Sequence, residues 1–424
     1  MSDEAGADGA KTLDGYIPVR TAVLAEAIIA ENGPSEADAQ AWADLVRLLS
    51  ALMRHAGQER LELMHAYYEP LDPDAAPPRR DLSPAAFERF EKALSAELQR
   101  GNFTEVDPES VRTAKATKRL TGLAIKPSQD GIRRIRYFAR GSRTETFTFK
   151  TWFGLRTHEI SAETLRDVVV CVGFKADQEI EKADRRAFAR MRRGVRPGAV
   201  LVKHFRNVAA PELVTLHPGA RPTMRRRDQA FLAAPAIIAG APVLINLWPA
   251  LTVLGAVLAA YFGAQGVIQE SELKRAVAAI SGLVAVVAFV MRQRLKYEAQ
   301  TLRYQKRLAD TVYFRNLANN AGVIDLLAGA AAEQDVKEAL LAYCVLRKAN
   351  RPLTREEIDA AAEGVLRARF GLNVDFEVRD ALDKLQALGL LAHAGETYAA
   401  IPPAEALARL DQAWDDLFHF RGRA

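Results

Sequence analysis

Histidine, cysteine and paired carboxylates are the side chains best suited to catalysis or metal binding near neutral pH. The chain has seven histidines: His55, His65, His158, His204, His217, His393 and His419. None forms an HxH or HxxxH pair, the spacings that present two imidazoles to one ion. His393 and Glu396 are three apart but straddle Gly395, where a tight turn is expected, and they make a poor metal site. His204 and His217 flank one strand–helix unit, where a hydrogen-bonded structural histidine is the plain expectation. Lys203, His204 and Arg206 are the residues around which an enzymatic pocket would have to form. Glu88, Glu91 and Glu97 lie on an expected helix among lysine and arginine neighbours and read as a solvated face. Cys171 and Cys344 are far apart with no CxxC, which argues against a disulfide scaffold or a cysteine-rich zinc site and for a reducing compartment. Cys344 sits amid Leu340, Leu341 and Val345 and reads as core packing. GxxxxGK[ST], GxGxxG after a strand, GxSxG, HExxH and EF-hand loops are all missing. No catalytic residue, metal ligand or cofactor is therefore assigned, and the sequence leans away from an enzyme.

Binding chemistry is more visible. Arg185–Arg227 holds twelve lysines and arginines against one acid, Glu212. Such a segment suits phosphate-bearing partners, either anionic lipid headgroups or nucleic acid. Only Phe188 and Phe205 interleave with it, too few for a base-stacking platform, so RNA is disfavoured. A second constellation combines Tyr304 with Asn316, Asn319 and Asn320. Helix termination and turn hydrogen bonds account for the asparagines in the plainest reading. The sharper expectation is a stalk-junction interaction in which these residues meet the basic segment.

These residues need elements to hold them. The chain has 424 residues, is 49% apolar and 26% charged, and carries a net charge of +5, the profile of a globular protein of two or three domains. Residues 1–228 are expected to be an α+β domain. Ile17–Ala30 and Asp38–His55 have helical spacing, with Trp42, Leu45, Leu48, Leu49 and Leu52 on one stripe. Pro70–Arg80 reads as a linker and Pro84–Leu98 as an amphipathic helix. The period then changes to two, and Ile132–Phe138, Glu145–Trp152, Val168–Phe174 and Val200–Phe205 read as short strands, followed by a short helix at Pro211–Leu216.

Gln229–Gln269 and Ala276–Met291 contain no Asp, Glu, Lys or Arg. This predicts a transmembrane hairpin over residues 229–293. One span is placed at Pro249–Ile268, with Phe231–Leu247 ambiguous, and the second stretch is extended by Leu273 and the stems of Lys274 and Arg292. Arg225, Arg226 and Arg227 precede it and Arg292, Arg294 and Lys296 follow it. They are expected to contact lipid headgroups and to keep both flanks on the cytosolic side. Met291–Ala318, free of Pro and Gly, is expected to continue as a helical stalk within residues 294–332, broken at Asn319–Gly322.

Residues 333–424 are expected to form a closing domain of winged-helix order. Val336, Leu340, Tyr343 and Leu346 stripe a first helix. Thr354 and Glu357 form a capping box for a second, and Asp375 is expected to cap a third. A hairpin around Gly395 and a last helix, Pro403–Phe418, follow. This part carries twelve Lys/Arg and sixteen Asp/Glu. The expected recognition helix bears Asp375, Glu377, Asp380 and Asp383, so phosphates would be repelled and DNA is disfavoured. An acidic face suits a protein partner instead.

Three runs carry a family resemblance: Tyr304–Gly322, Leu201–Asn207 leading to Glu212–Gly219, and Asp375–Leu382 with the Leu410–Leu417 helix. Together they resemble the family defined by domain of unknown function 3754, which includes animal transmembrane protein 143. The resemblance runs from about Gly101 to Phe418. It implies a two-span membrane protein with large flanking domains and brings no activity or catalytic residue. The lack of a transit peptide and the Ala- and Arg-rich usage point to a bacterial inner membrane, multi-pass, with both termini cytoplasmic. The expected fold is thus an α+β membrane protein. The expected role is a membrane-anchored scaffold or regulatory adaptor that meets anionic lipid and a protein partner, with homo-oligomerisation left open. The alternatives are an enzyme acting on a lipid or membrane-proximal substrate and a small channel or transporter subunit.

Overall fold

In the computed structural model, which describes residues 15–33, 35–75, 83–113, 124–129, 131–151, 156–181, 185, 189, 195–223, 252, 255, 259, 262–263 and 270–418, the chain is α+β and built around an antiparallel sheet. The strands are β1 (Thr104–Val106), β2 (Ala124–Pro127), β3 (Ile132–Thr151), β4 (Arg156–Phe174), β5 (Val200–Ala209), β6 (Ala220–Thr223), β7 (Asn316–Asn319), β8 (Leu391–Ala394) and β9 (Thr397–Ala400). The helices are α1 (Thr21–Asn32), α2 (Glu36–Tyr68), α3 (Pro84–Arg100), α4 (Pro108–Thr113), α5 (Glu270–Arg315), α6 (Ala321–Ala349), α7 (Arg355–Phe370), α8 (Val378–Ala387) and α9 (Pro403–Asp415). The five-stranded sheet has the order β1-β3-β4-β5-β7, while β2 pairs with β6 and β8 with β9.

The helices start where local chemistry tells them to. The Ser35 and Ser83 side chains accept from the amides of Asp38 and Ala86 and open α2 and α3. Thr354 and Glu357 close the expected capping box at α7. Asp375 does not cap α8: the N-cap position is Glu377, without a side-chain cap bond. On α2, Trp42, Leu45, Leu49 and Leu52 are buried and Leu48 is half-buried, as the stripe predicts, but the helix runs on to Tyr68.

The chain divides into two compact units, residues 1–120, 129–219 and 315–424 in one and residues 121–128 and 220–314 in the other. The first holds the five-stranded sheet and two apolar clusters. In one cluster, Phe87, Phe90, Leu94 and Leu98 of α3 and Met64 and Tyr68 of α2 cover Phe138, Val169, Cys171, Val200 and Val202 of the sheet. In the other, Leu24 and Ile28 of α1 and Trp42, Leu45 and Leu49 of α2 pack with Leu340, Tyr343, Ile358, Leu382 and Leu410. Helix α6 serves both, and every residue from Gln334 to Leu346 is buried. A helix buried all round is a central one, so its polar residues must find partners inside the protein. The second unit contains the β2–β6 pair and most of α5.

The runs Ile132–Phe138 and Glu145–Trp152 are not separate strands: up to Thr151 they belong to one long strand, β3, paired with β4 from Ile132↔Phe174 to Thr151↔Arg156, and Trp152 lies outside the described residues. The membrane part of the expected fold is not supported. Among the described residues no helix is long and apolar enough to cross a membrane. Ala276–Met291 lies inside α5, where Arg275 and Arg292 bracket its charge-free run. That run is sixteen residues, short of the about 20 that a bilayer core requires. Nearly all of the other stretch, Gln229–Gln269 with Phe231–Leu247 and Pro249–Ile268, lies outside the described residues. The transmembrane hairpin, the multi-pass inner-membrane placement with cytoplasmic termini and the membrane-anchored role therefore lose their support. The channel alternative rested on the same spans and loses the same support.

Candidate functional site

Two networks of buried charge stand out in the first unit. The first lies on the sheet. Asp167 of β4, Arg140 of β3 and His204 of β5 project from one sheet face, because Arg140↔Asp167 is a registered pair and β5 runs alongside. The Asp167 carboxylate is 1% exposed and accepts from Arg140 Nε at 3.1 Å, His204 Nε2 at 3.1 Å and Arg206 Nε at 3.3 Å. Burial opposes its ionisation, but the His204 hydrogen bond and Arg140 hold the carboxyl well below the usual aspartate range. Arg140 also donates to Gly101 O at 2.7 Å, and its guanidinium stacks over the rings of Tyr16 and Phe103 at 4.3 Å and 4.4 Å. His204 Nδ1 is buried and has no hydrogen-bond partner among the described residues.

The second place lies where α2, α3, α6 and α8 meet. Lys384 Nζ sits 2.6 Å from Asp335, 2.8 Å from Glu338 and 2.6 Å from Asp380. Those three carboxylates are close enough together to hold a cation, and the cation between them is the Lys384 ammonium. Asn102 Nδ2 donates to Glu338 at 2.9 Å, and Arg60 bridges Asp335 and Glu97 at 3.2 Å and 3.1 Å. Burial pushes the Glu338 carboxyl up to about 7 against the pull of Lys384 and Asn102. Burial works against the charge on Lys384, yet Glu338, Asp335 and Asp380 together raise its pKa above the usual lysine value.

The residues singled out in the sequence are scattered. Arg225, Arg226 and Arg227 lie outside the described residues. Arg292, Arg294 and Lys296 are exposed on α5, with Arg294 3.0 Å from Glu298 one turn on. Tyr304 is also on α5, in the second unit. Asn316 and Asn319 belong to β7 and pair with Phe205 and Lys203. Asn320 is buried at the β7–α6 turn, where its side chain accepts from Val202 N at 3.3 Å and donates to Asp74 at 2.5 Å. Of the three residues expected around an enzymatic pocket, His204 and Arg206 share Asp167. Lys203 is half-buried, and burial lowers its pKa against the pull of Asp74. A depression of about 470 Å³, lined by Glu62, His65, Tyr68, Glu69, Asp72 and Ala321, includes none of the three.

Several residues carrying these networks were not singled out. Asp167 could have been, as the acid that opens the apolar run Val168–Phe174. The polar string Glu333–Glu338, feeding directly into an apolar helix, is the other available signal. Nothing local points to Arg140, Asn102 or Lys384.

A family model described as protein of unknown function (DUF3754) matches residues 165–322, and over that stretch the resemblance read from the sequence holds. The match includes Asp167, His204 and Asn320 and stops short of the Glu338–Lys384 network. No solved structure matches the chain.

Proposed function

We propose that this chain is a regulatory adaptor whose acidic C-terminal helices dock a basic segment of another protein. The supporting observation is the crowding of Asp359 and Glu363 of α7 with Asp375, Glu377 and Asp380 at the start of α8. Burial, followed by Glu363, Asp375, Glu356 and Glu377, holds Asp359 above the usual aspartate range. Burial, then Asp375 and Asp380, does the same for Glu377. Neighbouring carboxylates add to burial at both groups, which marks a local excess of negative charge, and the Lys384 ammonium is already engaged by Asp335, Glu338 and Asp380. A lysine- or arginine-rich segment would relieve that repulsion and gain charge-assisted hydrogen bonds.

The test is a titration of the full chain with a fluorescein-labelled octa-lysine peptide at low and moderate salt. The whole chain carries +5, so general attraction does not favour this probe. Binding is expected to weaken roughly tenfold, a loss of about 1.4 kcal/mol, in the Asp359→Asn, Asp375→Asn, Glu377→Gln triple variant. Equal affinity for the wild type and the folded triple variant would reject the reading.

The enzyme alternative has one observation in its favour, the Asp167–His204 pair with its unpartnered Nδ1. Against it, the His204 side chain is 5% exposed and its carboxylate is shared with two arginines, which suits structural ion pairing better than proton transfer to a substrate.

A further inference from the structure

The segment that leads into α1 is held by side chains that read its main chain. Gln334 uses both atoms of its amide on Ile17: Oε1 accepts from Ile17 N–H at 3.2 Å, and Nε2 donates to Ile17 O at 3.2 Å. Lys337 Nζ donates to the same carbonyl at 3.1 Å. Asn102 Nδ2 donates to Gly15 O at 2.6 Å, and Glu333 accepts from the amide and hydroxyl of Thr21 at 3.4 Å each. Between these ties the Tyr16 ring lies under Arg140 at 4.3 Å and Arg166 at 5.3 Å, and the Ile17 side chain is fully buried. Gly15 passes so close to α8 that a Cβ there would come within 2.8 Å of Glu377 Cγ and 3.1 Å of Asp375 O.

Gln334, Lys337 and Asn102 are all buried. Burying an amide or an ammonium is unfavourable unless its hydrogen bonds are replaced. Anchoring this segment requires no such groups, because Leu24 and Ile28 of α1 already supply apolar anchors. A side-chain amide that pairs with both the N–H and the C=O of one residue acts as a neighbouring strand would and is indifferent to side-chain identity. We propose that α6, Asn102 and the Arg140–Arg166 pair form a groove that binds a peptide segment through its backbone, and that residues 15–21 of the same chain, up to the first residue of α1, are its resident, exchangeable occupant. Release of this strap uncovers Gln334, Lys337 and Asn102 and admits the same segment from a second copy of the chain. The inference goes beyond the adaptor reading and does not depend on it, since none of the three groove residues belongs to the acidic face.

Two measurements on the full chain test it. In the wild type, hydrogen exchange read by mass spectrometry should show residues 15–21 opening at least 100-fold faster than Val336–Leu346 of α6. Exchange of both at one rate, as happens when they open only together, overturns the proposal. In a Gly15→Val variant, built to eject the strap by the clash at Glu377, a labelled peptide of residues 15–24 should bind at least tenfold tighter than to the wild type. Adding Gln334→Ala to the protein, or Ile17→Pro to the peptide, should remove that gain. A folded Gly15→Val chain with no gain overturns the proposal, and if that variant does not fold, the exchange measurement on the wild type decides alone. Neither readout involves octa-lysine, so failure here and failure of the adaptor reading are separable.

Discussion

Asp167 shows what one residue can hold together. Its carboxylate satisfies Arg140, His204 and Arg206 at once, in a site from which water is almost excluded. In the folded chain the carboxyl titrates below the ordinary aspartate value of 3.8. Its ionised form therefore stabilises the fold above that pH, and the contribution is lost as pH falls toward the folded value. Asp167→Asn preserves shape but leaves Arg140, 6% exposed, without a counter-ion. Removing one partner of a buried pair costs about 3 kcal/mol. The expected result is a lower urea midpoint with an unchanged m-value. An unchanged midpoint would mean that Gly101 O and the rings of Tyr16 and Phe103 suffice for Arg140. Asp167 is conspicuous in the sequence. Its principal cation lies 27 residues earlier, among other arginines with nothing to distinguish it.

At the scale of elements, β7 is where local preference and tertiary demand part company. The absence of Pro and Gly predicts a helix as far as Ala318, yet α5 stops at Arg315 and the next four residues form a strand. The cause is β5, whose unpaired edge offers backbone donors and acceptors that Asn316–Asn319 satisfy. Asn320 then turns the chain into α6 with φ of 51°, a conformation asparagine tolerates better than most residues. Its side chain also occupies Val202 N–H, and its own amide donates to Val202 O at 2.7 Å. Asn320→Ala should destabilise the chain by about 2 kcal/mol, since a buried N–H loses its acceptor. Asn319→Ala, at an exposed position, should change stability by less than about 0.5 kcal/mol. Chemical denaturation of both variants distinguishes this account from one in which the whole asparagine cluster matters equally.

For the unit as a whole, Glu338 makes stability depend on pH between the ordinary glutamate value and neutrality. Its folded value of about 7 lies above the ordinary glutamate value of 4.5, so between these values the folded chain binds a proton that the unfolded chain lacks. Stability should therefore fall as pH rises through that window, by up to about 3 kcal/mol from this group, and Glu338→Gln should flatten the dependence. Urea unfolding at pH 5, 6, 7 and 8 checks this, and parallel curves for wild type and variant would refute it. Glu338 reaches Asn102, 236 residues away, and Gln334 beside it reaches Ile17, 317 residues away. Sequence reasoning reads what lies within a turn or two: the α2 stripe, the Thr354–Glu357 box, the apolar run before Phe174 and the acidity of the last ninety residues. The family resemblance, read over about Gly101 to Phe418, is matched by the family model over residues 165–322. The charge-free run at Ala276–Met291 is equally plain, but an apolar run does not state what surrounds it, and the helix that carries it is not apolar over enough of its length to span a membrane. Periodicity and composition are properties of neighbouring residues. The strand edge that captures Asn316–Asn319, the cation between three carboxylates and the groove around Ile17 are contacts between distant ones, which exist only once the chain has closed on itself.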